Sequence, residues 1–575
     1  MPLLCSASCQ ARGVRRRATR YVISGLAAVM LSAAWPAPAR ADGPLVFRDV
    51  GDEAGLFPAV SKIAGHGVGW GDADGDGWPD LYVGTFGGDP VPYASKPNQF
   101  FRNVRGKFVL DEQPHLRIVG RSNGAVFADL DNDGDLDLYT TNHAIEYPGQ
   151  PHFQTPNALF RNDGGGKFTD VSAATGACPR GFACRSVAVF DADGDTLLDL
   201  IVGECFFQGG TSRSRLYRNL GGLKFEDYTS KAGLPDKVTG FGVAAGDVNG
   251  DTWPDLMFGG RHHGNRLFLS DGAGKFRELP AAHGSFPWTY KDTPDDTTCG
   301  VCMGDVNRDG LVDIVIGSHC DRPWYTGGVA VRLFLNRGVD GGLPRFEDVT
   351  DSVGLVPLPM KSPHVEIQDF DNDGWPDIYT SIVKFAGGKT HPVIFRGRGV
   401  SGGLPQFREE ALAVNDFPTE ADKKDGDVGA FFARMEREGK IVYTAPGPSA
   451  DYDRDGRLDL FLANWWVNSR SLLLRNETAA GNWLQIAVNG QPGVNRMGIG
   501  SVVRVYPAGK LGQRDALLAV REIAVGYGYA SGQEAIAHFG LGSLPACDIE
   551  IVLPHGKGRL ERKAVKANQL LTIAP

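Results

Sequence analysis

Asp72-Ala73-Asp74-Gly75-Asp76-Gly77-Trp78-Pro79-Asp80 runs directly into the apolar stretch Leu81-Tyr82-Val83, and six more stretches of the chain repeat that arrangement. The shared pattern is Asp-x-Asp/Asn-x-Asp-x-x-x-Asp. Its positions 1, 3, 5 and 9 are Asp72, Asp74, Asp76 and Asp80 in the first copy, Asp129, Asp131, Asp133 and Asp137 in the second, and Asp191, Asp193, Asp195 and Asp199 in the third. The fourth and fifth are Asp247, Asn249, Asp251 and Asp255, and Asp305, Asn307, Asp309 and Asp313. The sixth and seventh are Asp369, Asp371, Asp373 and Asp377, and Asp451, Asp453, Asp455 and Asp459. Successive copies begin 57, 62, 56, 58, 64 and 82 residues apart, near the length of one four-stranded propeller blade with its loops. The stretched last gap holds an insertion around Asp416 to Lys440, with a short helix expected over Val428 to Arg437.

The spacing has a chemical reason. Calcium takes six to eight oxygen ligands, and carboxylates at alternate positions of a tight loop converge on one point. Position 7 can add a backbone carbonyl. Glycine at position 6 (Gly77, Gly134, Gly310, Gly374, Gly456) permits the sharp turn, and Thr196 and Thr252 in its place predict looser third and fourth loops. Asn249 and Asn307 lower the charge of their loops by one. Calcium is therefore expected at up to seven sites, because clustered carboxylates repel one another unless a cation neutralises them. An EF-hand is excluded by the β-like flanks, such as Leu200-Ile201-Val202 and Ile314-Val315-Ile316, and by the lack of Glu at position 12.

A second motif interleaves with the loops. Strands of the type Gln99-Phe100-Phe101-Arg102-Asn103, Ala158-Leu159-Phe160-Arg161-Asn162 and Arg215-Leu216-Tyr217-Arg218-Asn219 lead through a glycine turn to a strand bearing one phenylalanine. Those are Phe108, Phe168, Phe225, Phe276, Phe346 and Phe407, and a seventh stands near the N-terminus in Val46-Phe47-Arg48-Asp49-Val50. The last unit has Ser471 to Asn476 but no such strand after it. The N-terminal strand is thus expected to complete the seventh blade, closing a ring without exposed edges. The fold expected is all-β: a seven-bladed β-propeller with calcium loops over residues 42–480, then a small β-rich C-terminal domain over 481–575.

These loops and Phe strands resemble FG-GAP/VCBS propeller repeats. The later succession Asn482-Trp483-Leu484-Gln485-Ile486, Asn495 to Gly500, Gly526-Tyr527-Gly528-Tyr529-Ala530-Ser531-Gly532-Gln533, His538 to Gly542, Pro554 to Gly558 and Asn568 to Ile573 is similar to the UnbV/ASPIC domain that ends the cartilage acidic protein-like family. The resemblance covers essentially the whole chain after the leader. It implies a secreted calcium-binding protein with an interaction-related role, and it brings no catalytic residue.

Residues 1–41 read as an export signal: Arg12, Arg15, Arg16, Arg17 and Arg20, then the apolar run Tyr21 to Trp35, then Ala39-Arg40-Ala41 as a small-residue cleavage site. The run is too short for a spanning helix, so no membrane insertion of the remaining chain is expected. Removing 1–41, with six arginines and no acid, takes the formal net charge from −9 to −15. That surface argues against nucleic acid as a partner, and seven calcium ions would bring the charge to about −1. The protein is expected in the periplasm or outside the cell.

Cysteines 178, 184, 205, 299, 302, 320 and 547 follow the leader. An exported chain oxidises those that meet. Cys184 and Cys205, and Cys299 and Cys320, flank their loops symmetrically, which predicts the disulfides Cys184–Cys205 and Cys299–Cys320. Cys178–Cys184 and Cys299–Cys302 are the rival pairings, and Cys547 is left unassigned. The same counting places His66, His143, His262, His319 and His364 near the blade ends away from the loops, with Arg185, Glu204, Arg261, His263, Lys384, Trp465 and Trp466 nearby. Such a mouth is where propellers gather side chains into a concave site. The expected ligand is a glycan, a protein or a small molecule. Histidines beside cysteine could also hold a transition metal. The competing expectation is an exported enzyme, a polysaccharide lyase or metal-dependent oxidoreductase, although no zincin helix or phosphate loop occurs.

Overall fold

Each acidic loop joins two strands whose side chains are buried on both faces, which is why the runs after the loops are continuously apolar rather than alternating. In the first repeat the strands are Gly65–Gly71, Asp80–Thr85, Gln99–Asn103 and Phe108–Leu110, paired antiparallel in that order. The same order recurs from Ser122–Ala128, Cys184–Phe190, Gly242–Gly246, Thr298–Gly304 and Val365–Gln368. In the last repeat Ser449–Ala450, Asp459–Leu462 and Leu472–Asn476 are completed by Phe47–Asp49 from the N-terminus. Phe47 stands opposite Asn476 just as Phe108 stands opposite Asn103, so the displaced strand keeps the register of the others. The computed structural model describes residues 43–574 apart from 88–95, 144–154, 206–212, 261–263, 288–297, 319–330, 357, 359–361, 387–388, 410–418, 439–443, 445, 466–469 and 491. The fold is all-β, built mostly of four-stranded antiparallel sheets, and is consistent with a β-propeller.

Apolar clusters fill the gaps between successive sheets: Tyr82, Phe100 and Phe127 between repeats 1 and 2, Val315, Val365 and Phe395 between 5 and 6, and Phe370, Tyr379 and Leu460 between 6 and 7. Trp70, Val83, Phe461 and Leu473 fill the space between repeats 7 and 1, and the amide of Gly65 donates to Asn464 O at 2.8 Å there. Asparagine explains the end of the third-strand motif. Asn103 Nδ2 donates to Pro79 O of its own loop and to Tyr452 O of the preceding repeat's loop. Asn162, Asn219, Asn336 and Asn476 make the equivalent pair of bonds. Repeats 4 and 6 carry Ser270 and Gly397 at that position. The helix expected in the insertion spans Val428–Arg437, preceded by Glu420–Asp425.

Residues after the repeats form two sheets, Asn482–Val488 with Ala537–Gly542 and Leu570–Ile573, and Val502–Pro507 with Ala519–Glu522, Ala546–Val552 and Arg559–Lys566. They belong to the same compact unit as the repeats.

The cysteine pairing of repeat 3 needs correcting. Cys184 carries a thiol, not a disulfide, and its Sγ accepts a hydrogen bond from Asn157 Nδ2 at 3.3 Å. A bulge between Cys184 and Val187 shifts the register by one, so Cys184 faces Glu204 and the Cys205 amide bonds Ala183 O. One residue of slip puts the two cysteines on opposite faces of the sheet. Cys320, and with it the pairing Cys299–Cys320, lies outside the described residues.

Candidate cation loops and the C-terminal cap

All seven loops fold alike. The carboxylate at position 1 accepts the backbone N–H of position 6 at 2.8–3.1 Å. Position 9 is buried, and its Oδ1 accepts the amide of Asn103, Asn162, Asn219, Ser270, Asn336, Gly397 or Asn476 on the third strand at 2.7–2.9 Å. In repeats 1 to 6 its Oδ2 accepts the amide of loop position 2. Thr196 and Thr252 take φ of 77° and 74°, the same left-handed turn as the glycines, at a steric cost of about 1–2 kcal/mol.

These bonds aim the carboxylates at one point. Carboxylate oxygens of Asp72, Asp74 and Asp80, of Asp129, Asp131 and Asp133, of Asp191, Asp193 and Asp199, of Asp369, Asp371 and Asp377, and of Asp451, Asp453 and Asp459 lie within 4.8 Å of one another. In repeats 4 and 5 the position-3 amide instead donates to position 5, Asn249 to Asp251 at 2.9 Å and Asn307 to Asp309 at 3.0 Å. Burial pushes Asp80 and Asp137 up to about 8, Asp191 and Asp451 to about 7, and Asp129 and Asp305 to about 6. Neighbouring carboxylates add to that rise. Asp129 Oδ1, Asp131 Oδ1, Asp193 Oδ1, Asp453 Oδ1 and Asp459 Oδ2 are buried without a hydrogen-bond donor. Oxygens left this way suit a hard divalent cation.

The C-terminal sheets lie on this loop face. Gln485 Nε2 donates to Asp451 Oδ2 at 2.9 Å, His538 Nε2 meets Asn372 Oδ1 at 2.7 Å, and the amide of Gly542 donates to Asn372 O at 2.8 Å. His555 Nε2 stands 3.1 Å from Asp191 O, and Arg454 Nη2 pairs with Glu534 Oε1 at 2.7 Å. Over loops 1 and 2 the cover parts into a cleft of about 740 Å³, lined by Trp70, Asp72, Asp129, Asn132, Arg496 and Glu534 among others.

From this cap the segment 525–532 runs against the first strands of several repeats. Val525 bridges Val189, Gly528 bridges Val301, and Ser531–Gly532 adds a parallel strand to Gly65–Gly71. The Tyr529 amide donates to His364 Nδ1 at 3.1 Å, and His364 Nε2 donates to the buried Glu366 at 3.1 Å. Gly528, at φ 74°, has no room for a Cβ, which would lie 2.4 Å from the His364 ring. His364 is thus a clamp for an internal segment rather than part of an open mouth.

Of the other candidates, His66, His143, Arg185 and Trp465 do come together. His66 meets Phe86 at 4.9 Å, Trp465 at 5.1 Å and Tyr529 at 5.6 Å between ring centroids, and Phe86 stacks on His143 at 5.9 Å. The Arg185 guanidinium lies 5.5 Å from the Phe241 ring centre. Burial and the nearby arginines depress the basicity of His143. Glu204 stands apart, accepting the amides of Ala183 and Arg213. Among the described residues no group of three metal-type ligands includes these histidines. Arg261, His262, His263, His319 and Trp466 lie outside the described residues, and Lys384 is placed only by its strand position opposite His391. Tyr529, Gln485, His538 and Arg496 were not anticipated. Only the alternation Gly526-Tyr527-Gly528-Tyr529 hints at a segment threading a narrow space.

Comparison with known proteins agrees with this organisation. The FG-GAP-like repeat matches residues 72–140 and 247–316, and the ASPIC and UnbV domain matches 491–575. Cartilage acidic protein 1 of Mus musculus is 26% identical over 510 residues, covering 86% of this chain and 71% of its own, and that of Homo sapiens is 26% identical over 517 residues, covering 86% and 69%. Among solved structures, a Bacillus licheniformis rhamnogalacturonan lyase aligns over 71% of each chain at 12% identity with a TM-score of 0.36, a likeness too slight to build on. No helix among the described residues is long and apolar enough to cross a membrane. The chain is an FG-GAP-repeat protein ending in an ASPIC and UnbV domain, related across most of its length to cartilage acidic protein 1.

Proposed function

We propose that this chain is an exported, seven-bladed β-propeller that binds calcium in its acidic loops and serves as a binding scaffold. The observation carrying this reading is the convergence of carboxylate oxygens in five loops, with buried oxygens that have no donor in loops 2, 3 and 7. Calcium suits such all-oxygen sites, and its charge offsets the repulsion that raises these acids. Two of the loops carry Asn at position 3, which supplies a neutral oxygen. Seven sheets packed in succession, with the seventh against the first, support the blade count. Relatives named for cartilage are in keeping with export.

The scaffold receives its ligand, a glycan, protein segment or small molecule, in the cleft over loops 1 and 2. There the cap leaves two acidic loops facing open volume beside Arg496, whose side chain is 56% exposed. The mouth opposite the loops is a poorer candidate, since its described members pack on one another and on Tyr529. Thermal melting with calcium and with EDTA tests the calcium reading. Calcium should raise Tm by more than about 10 °C, as expected when several tight sites bind only the folded state. An unchanged Tm overturns it.

A further inference from the structure

The third strand of each repeat carries either arginine or leucine one residue before the position held by Asn103 in the first repeat, and the choice follows loop position 3. Asp74, Asp131, Asp193, Asp371 and Asp453 go with Arg102, Arg161, Arg218, Arg396 and Arg475. Asn249 and Asn307 go with Leu269 and Leu335. The two positions sum to zero charge in all seven repeats.

The geometry gives the pairing a reason. Arg102 Nη1 lies 3.1 Å from Asp74 Oδ2, Arg218 Nη2 lies 2.5 Å from Asp193 Oδ2, and Arg396 pairs with Asp371 where both are buried. Arg161 and Arg475 bond Asp163 and Glu477 while acting on Asp131 and Asp453 through space. In repeat 3 the arginine takes Oδ2 and leaves Oδ1 of Asp193 buried without a donor. Where position 3 is asparagine, an arginine would have no carboxylate to meet, and Leu269 and Leu335 are instead buried in the apolar gaps between sheets.

We propose that the third-strand arginine is the charge-setting residue of the cation sites whose position 3 is aspartate: in repeats 1, 3 and 6 it holds one oxygen of that carboxylate, leaves the other for the ion and cancels its charge, and in repeats 2 and 7 it offsets the charge through space. Position 3 then contributes no net charge, and the charge of each site comes from positions 1, 5 and 9, although Arg218 also stands 3.5 Å from Asp195 in loop 3 and Arg457 pairs with Asp455 in loop 7. The pairs Asp/Arg and Asn/Leu are interchangeable as pairs but not singly. This rests on the calcium reading above.

Repeat 3 offers the test, because Arg218 is one-third exposed and its replacement leaves the core intact. Hydrogen exchange of the peptide spanning 191–199 is followed as calcium is raised, with the peptide spanning 72–80 as internal control. A neighbouring unit charge alters the calcium midpoint by about tenfold even in a partly screened site. Arg218→Leu should lower the midpoint about tenfold, Asp193→Asn should raise it about tenfold, and the double variant should return to within about threefold of the parent. Arg218→Lys, which keeps the charge, should also stay within about threefold. The proposal is overturned if Arg218→Leu leaves the midpoint unchanged or raises it, or if the double variant keeps the shift of Asp193→Asn. A parent loop whose exchange ignores calcium overturns the calcium reading itself.

Discussion

Loop 1 and loop 6 read alike, Asp-x-Asp-x-Asp-Gly-Trp-Pro-Asp in both, yet they sit in different surroundings. Asp76 of loop 1 is exposed and Asp72 borders the open cleft. In loop 6, Asp369, Asp371, Asp373 and Asp377 are 0–3% exposed. Gly540 lies so close that a Cβ there would stand 2.0 Å from Asp369 Oδ2, and the Gly481 amide donates to Asp371 O at 3.0 Å. A motif fixes the local turn. What the turn then does depends on which part of a distant segment lands on it.

The largest expected difference between the two loops concerns position 3. Asp371→Asn removes the carboxylate beside the buried Arg396 guanidinium, and should cost about 3–5 kcal/mol of unfolding free energy in chelator. Asp74→Asn leaves Arg102 still bonded to Asp111 at 2.8 Å near the surface, and should cost less than about 1 kcal/mol. Urea denaturation of both variants checks this, and equal costs would contradict the contrast in burial.

A smaller difference lies in the cap. His538, which contacts loop 6 through Asn372, is pushed down to about 3 by burial, aided by Arg521. Its unfolded value is near 6.5, so between there and about 3 the unfolded chain binds one proton more than the folded one. Stability from this group is therefore complete above about pH 6.5 and is lost as pH falls below it, by about 1 kcal/mol at pH 5.5. His538→Gln in saturating calcium should remove that portion of the acid sensitivity. An unchanged slope between pH 7 and 5.5 would show that the group does not stay neutral.

The strands, the loops and the displaced N-terminal strand were legible because each is written in a short local pattern. The counting that placed Phe47 in the seventh sheet needed only the absence of a later Phe strand. The same counting failed for Cys184 and Cys205, since a bulge at Arg185 and Ser186 shifts the register and leaves no strong mark in the sequence. It also put His364 at the right level but could not see Tyr529 arriving there, 165 residues later. The cover over loops 3 to 7 was illegible for the same reason. Its contacts join residues from 34 to 364 positions apart, through small groups such as Gly540 and Gly542 whose role is only to leave room.

The most direct measurement is the number of calcium ions held per chain, by equilibrium dialysis at micromolar free calcium and elemental analysis. The account predicts close to seven, with no fewer than the five loops in which three carboxylates converge. One ion or none would mean that the acidic loops are turns held by their own backbone hydrogen bonds, and the proposed scaffold would lose its basis.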